Sequence, residues 1–127
     1  MRRLAVIATL FAVPVAACGG DDDEASERSV TVSAGATVRV VADEYYFDPA
    51  RVVVRGAGPL TITLRNRGDL AHNLKLFRGE EEVGGTPTFP GGRTESGRVN
   101  LEHGNYKMVC TVGDHAELGM TGSLRVR

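Results

Sequence analysis

From Ser29 to Arg127 apolar side chains recur at every second position in short runs, and no stretch sustains the 3.6-residue period of a helix. Leu60, Ile62 and Leu64 alternate with Thr61, Thr63 and Arg65, and Val30 with Val32 and Val38 with Val40 repeat the pattern. A period of two sends successive side chains to opposite faces of a strand, leaving one face for a core and one for water. Runs at Val52–Val54, His72–Phe77, Arg98–Leu101, Asn105–Thr111 and Ser123–Arg127 complete the set, divided by Gly, Pro and Asp. Seven or eight strands in the 99 residues from Ser29 to Arg127 predict an all-β fold, an antiparallel β-sandwich with Greek-key connections. Residues 79–97, rich in Gly and Glu, read as the longest surface loop. Gly104-Asn105-Tyr106 has the form of a tyrosine corner, although Tyr106 fits equally well as plain core.

What precedes Ser29 has a different character. Arg2 and Arg3 lead into an apolar run from Leu4 to Val15, broken only by Thr9 and Pro14 and too short to span a bilayer. It ends in Val15-Ala16-Ala17-Cys18, which resembles the lipobox of bacterial lipoproteins. That resemblance implies a signal peptide over residues 1–17, cleavage before Cys18 and a lipid on the Cys18 sulfur. The other reading is an ordinary secretory signal that leaves the domain free outside the cytoplasm. Residues 18–28 carry Asp21, Asp22, Asp23 and Glu24 in succession, which cannot bury apolar surface and should act as a solvated tether. Residues 29–127 then form one domain.

Charge narrows the function. Of 15 basic and 16 acidic residues, Arg2, Arg3 and Arg28 fall before the domain, as do Asp21, Asp22, Asp23, Glu24 and Glu27. The domain keeps 12 and 11, which offers no concentrated basic face for nucleic acid. With Cys18 assigned to lipid, Cys110 is the one cysteine left, so the domain is no disulfide scaffold and the thiol needs another explanation.

Strand phase supplies one. His72, Leu74 and Leu76 share a face, and so do Tyr106, Met108 and Cys110. His115 and Met120 fall on the short connection to the last strand, where a loop can fold donors over a strand end. Singly, an inward Cys is a small core hydrophobe and a Met is filler. Together, one thiolate, two imidazoles and one thioether make a soft set, and two His and one Cys with a weak axial Met is the arrangement of blue-copper sites. Structural zinc sites favour several thiolates or histidines and seldom recruit Met. The chemistry favours one type 1 copper ion. His103, in a Glu-His-Gly turn, reads as surface loop.

The segment from Tyr106 to Gly122, with Cys110-x4-His115-x4-Met120, resembles the copper loop of cupredoxins, in a spacing closest to rusticyanin-like members. Tyr46-Phe47-Asp48-Pro49 before Val52–Val54, and Asn66 through His72-Asn73-Leu74, resemble the family's earlier strands. The resemblance spans nearly all of residues 29–127. It implies His72, Cys110 and His115 as equatorial ligands, Met120 as axial ligand, and the Ala71 carbonyl facing the metal weakly from the other side. It also implies that Asn73 and Thr111 tie the ligand strands together by hydrogen bonds. The loop departs from the family in having Gly113-Asp114 where a proline commonly precedes the second histidine.

The function expected is a monomeric one-electron carrier at the membrane surface, held by lipidated Cys18 and meeting respiratory redox proteins briefly through a small apolar patch around His115. The alternative is a copper chaperone or copper-buffering lipoprotein without electron relay. No enzyme is expected. Cys110, His115 and Asn73 have the residue types of a cysteine hydrolase, but a nucleophilic thiol must be exposed. Three histidines are also too few for a multicopper centre.

Overall fold

The computed structural model describes residues 28–127. The expected signal peptide, Cys18 and all of the expected acidic tether except Arg28 lie outside the described residues. In chain order the strands are β1 (Ser29–Ser33), β2 (Thr37–Asp43), β3 (Tyr46–Asp48), β4 (Arg51–Arg55) and β5 (Gly58–Asn66), then β6 (Lys75–Arg78), β7 (Glu81–Gly85), β8 (Thr94–Leu101), β9 (Gly104–Val109) and β10 (Thr121–Val126). They form a six-stranded sheet in the order β1-β4-β10-β9-β6-β7 and a four-stranded sheet in the order β3-β2-β5-β8.

The alternation that predicts the strands also builds the core. Val38, Val40 and Ala42 of β2 and Leu60, Ile62 and Leu64 of β5 are buried from one sheet, and Leu76, Tyr106, Met108, Leu124 and Val126 from the other. At about 1.5–3 kcal/mol for each large aliphatic side chain taken from water, this shared interior is the main stabilising contribution.

The all-β sandwich expected from the sequence is present, with three differences. The described residues form ten strands rather than seven or eight, because three-residue β3 and glycine-bearing β7 carry too little alternation to be read. Residues 79–97 are not one loop: β7 pairs antiparallel with β6, and β8 begins at Thr94. Finally, β1–β4, β4–β10 and β2–β5 are parallel pairs in an otherwise antiparallel pattern. Alternation alone carries no strand direction, which explains the last difference.

Tyr106 is both core and corner. Its ring is buried, while its hydroxyl donates to the Glu102 carbonyl at 2.9 Å and accepts from the Glu102 N–H at 3.0 Å. That locks the turn between β8 and β9.

Register places the predicted donors at one end. Val109 of β9 pairs with both Lys75 of β6 and Thr121 of β10. The chain just beyond this paired row holds Cys110 after β9, Met120 before β10 and His72 upstream of β6. His72 is fixed by an isolated bridge to Phe89, with reciprocal backbone hydrogen bonds of 3.1 Å.

Candidate metal centre

Cys110, His115 and Met120 arrive on one compact loop. The Cys110 N–H donates to the Met120 carbonyl at 3.2 Å and closes its neck. Inside, the Met120 N–H donates to the His115 carbonyl (3.1 Å), the His115 N–H to that of Val112 (3.0 Å) and the Leu118 N–H to that of Asp114 (3.1 Å). Gly113, at φ 48°, occupies the left-handed region that a tight winding requires and most residues avoid.

His72 faces this loop from the other side. His72 Nδ1 lies 3.2 Å from His115 Nδ1, and Cys110 Sγ lies 3.9 Å from the first and 3.6 Å from the second. Cys110, His72 and Met120 are fully buried and His115 is 7 % exposed. Among the described residues this is the one group of three His, Cys, Asp or Glu side chains gathered tightly enough, within 4.8 Å, to share an ion.

The separations fit a single ion. Donors with metal–nitrogen and metal–sulfur bonds of about 2.0 and 2.3 Å, at tetrahedral to trigonal angles, would stand roughly 3.3–3.8 Å apart. The chemistry fits as well. His72 Nε2 lies 3.0 Å from Glu44 Oε1, and a carboxylate only accepts, so Nε2 carries the proton and Nδ1 presents its lone pair inward. Buried lone pairs converging on one point need a cation or a proton between them.

Hydrogen bonds brace both walls. Asn73 Nδ2 donates to Thr111 Oγ1 and to Thr88 Oγ1, each at 2.8 Å, and the Thr111 N–H donates to Asn73 Oδ1 at 2.9 Å. This ties the His72 segment to the Cys110 segment, as the resemblance implies. Ala71 is half-buried beside His72, and His103 is exposed in its turn.

Two neighbours are absent from the sequence reading. Glu44, in the turn between β2 and β3, holds His72 as described and accepts the Leu70 N–H at 2.8 Å and the Asp69 N–H at 3.3 Å. The Leu70 hydrogen bond, against the opposing effect of burial and with help from Asp69, His72 and Asp43, lowers its carboxyl to about 2 from the ordinary 4.5. A depressed carboxyl contributes stability that is present above 4.5 and lost as pH falls towards about 2. Tyr45 stands with its ring centroid 5.0 Å from that of His115, tilted by 59°. A turn carboxylate and a half-buried tyrosine have no strand phase. The one signal available was position, immediately before the quoted Tyr46-Phe47-Asp48-Pro49.

Solved structures with this architecture are auracyanins and an azurin. Auracyanin from Roseiflexus castenholzii, reduced with dithionite, superposes with a TM-score of 0.65 at 18 % identity, over 72 % of this chain and 96 % of its own. Auracyanin A, a "blue" copper protein from Chloroflexus aurantiacus, gives 0.64 at 22 % identity, over 77 % and 100 %. An azurin from Methylomonas sp. strain J gives 0.65 at 16 % identity, over 74 % and 99 %. The chain has the cupredoxin fold. No protein-family model matches the sequence, and no curated protein matches it either. Within this cupredoxin fold the four sequence-predicted donors gather at one end, and the exposed side chains of Leu70 (43 %) and Leu118 (51 %) belong to the two segments that carry His72 and His115.

Proposed function

We propose that this chain is a one-electron carrier with a single type 1 copper ion, held equatorially by His72, Cys110 and His115 and axially by Met120. The convergence of three buried donor atoms with separations of 3.2–3.9 Å carries the reading. Copper, when bound, supplies a Cu(I)/Cu(II) couple. The Cys110 thiolate and Met120 thioether favour the lower state, while the two imidazoles serve both. Backbone hydrogen bonds and the Asn73–Thr111 tie place the donors beforehand, so little moves when an electron arrives or leaves. The structural neighbours are auracyanins, one of them a "blue" copper protein, and an azurin, which supports this choice of metal.

Burial argues against the chaperone alternative. A protein that hands copper on must expose its ligands to an incoming thiol or imidazole, whereas three of these four are fully buried. The exposed apolar side chains of Leu70 and Leu118, on the segments that carry His72 and His115, suit brief docking, since a redox partner must leave quickly. Respiratory redox proteins as partners, a monomeric state and a membrane-surface location through lipidated Cys18 remain part of the proposal and rest on the sequence.

Titration of the purified protein with Cu(II), followed by voltammetry, tests the reading. The expected result is one equivalent bound, an intense blue charge-transfer band and a reversible one-electron wave. A colourless complex that gives up its copper to a mild chelator would overturn the carrier in favour of the chaperone.

A further inference from the structure

We propose that Glu44 is the positioning residue of the metal centre, its carboxylate fixing the ring of His72 from behind and tuning the copper potential. This rests on the type 1 copper reading for the potential and on the structure alone for the ring.

The geometry assigns Glu44 two tasks. Its Oε1 faces His72 Nε2 at 3.0 Å and also accepts the Leu70 N–H at 2.8 Å, while Oε2 accepts the Asp69 N–H at 3.3 Å. A carboxylate held by two backbone donors cannot turn away, so the imidazole must present N–H to it. The opposite nitrogen, Nδ1, is then a fixed lone-pair donor aimed at Cys110 Sγ and His115 Nδ1. Among the described residues His115 has no carboxylate partner of this kind. An aromatic ring, Tyr45, lies against it instead. The anionic support is therefore specific to one of the two imidazoles.

The main chain is shaped to admit this carboxylate. A β-carbon on residue 68 would fall on the Glu44 carboxylate, so a larger residue there would push the carboxylate away from the Gly68–Leu70 turn. Gly68 is itself held by its N–H, which donates to Asn66 Oδ1 at 3.0 Å. Glu44 is thus enclosed by the turn just ahead of His72, about a quarter of its side chain remaining exposed.

The second task follows from sign. A negative charge near the ion stabilises the more positive oxidised state more than the reduced one, so it lowers the potential. Removing it must raise the potential.

Three variants test this. Glu44→Gln keeps an acceptor oxygen and loses the charge, Glu44→Ala loses both, and Gly68→Ala displaces the carboxylate while leaving it in the chain. Glu117→Gln, an exposed carboxylate two residues from His115, is the control. Nitrogen-15 NMR of the metal-free protein reads the His72 tautomer directly. We expect Nε2–H in the wild type and in Glu44→Gln, and a mixture of tautomers in Glu44→Ala and Gly68→Ala. Voltammetry of the copper-loaded protein reads the charge. Glu44→Gln should shift the Cu(II)/Cu(I) balance towards the reduced form about tenfold, which is 59 mV upward for one electron, with Glu117→Gln near the wild type. Copper affinity should fall about 10- to 100-fold in Glu44→Ala. An unchanged tautomer in Glu44→Ala would overturn the positioning role. A Glu44→Gln potential equal to that of the wild type or of the control would overturn the charge role. A wild-type protein that never turns blue would sink the copper reading, and the tautomer would still decide the place of Glu44.

Discussion

The two walls of the metal centre are built in opposite ways. His72 belongs to a wall of extended chain, pinned to Phe89 by paired backbone hydrogen bonds and backed by Glu44. Cys110, His115 and Met120 belong to a wound loop held mostly by its own short-range bonds and closed at the neck by one contact between Cys110 and Met120. One wall supplies rigidity and the other supplies most of the ligands. A site assembled this way places each donor accurately only while the tie between the walls, Asn73 to Thr111, stays intact.

The largest effect expected comes from the loop wall. Cys110→Ser should abolish the blue band altogether while leaving the sandwich folded, checked by absorption and by circular dichroism. Retention of the colour would refute the ligand assignment. A pair of truncations then separates the walls. In the metal-free protein, His72→Ala removes a fully buried ring from the rigid wall and should cost about 2–4 kcal/mol in denaturant unfolding. His115→Ala should cost less than half of that, because the loop and Tyr45 can close over the space. Equal costs would erase the distinction between the walls. Asn73→Ala severs three hydrogen bonds across and beside the tie and should cost about 1–3 kcal/mol. It should also broaden the copper EPR signal as the two walls lose register. The mildest change is Met120→Leu, a near-isosteric replacement at a fully buried position, with a stability change below about 1.5 kcal/mol. It should keep the colour and raise the potential, and an unmoved potential would argue against an axial role.

The same contrast explains what could be read from the sequence. The loop wall was legible because its donors lie within eleven residues at fixed spacing and continue the phase of Tyr106 and Met108. His72 was legible through its alternation with Leu74 and Leu76. What escaped notice depends on contacts distant in the chain. Glu44 meets Leu70 and His72 across 26 and 28 residues, and an acidic residue in a turn reads as solvated until its partners are placed. Strand β7 escaped for a related reason. A side chain at Gly85 would strike the Leu74 carbonyl, and one at Gly97 would strike the Gly85 carbonyl. The close approach of neighbouring backbones requires glycine there, and glycine carries no alternation to detect.

The parallel pairing of β1 with β4, and of β4 with β10, has a consequence for orientation. Ser29 and Ser123 both pair with Arg51, so the chain enters the domain three residues from the level of Met120 and runs away from it. Whatever precedes Ser29 therefore joins the domain at the ligand-bearing end rather than the far pole. Were Cys18 sunk in a bilayer, the eleven-residue stretch to Ser29 would reach at most about 40 Å. The ligand-bearing end, not the far pole, would then be the part of the domain nearest its point of attachment.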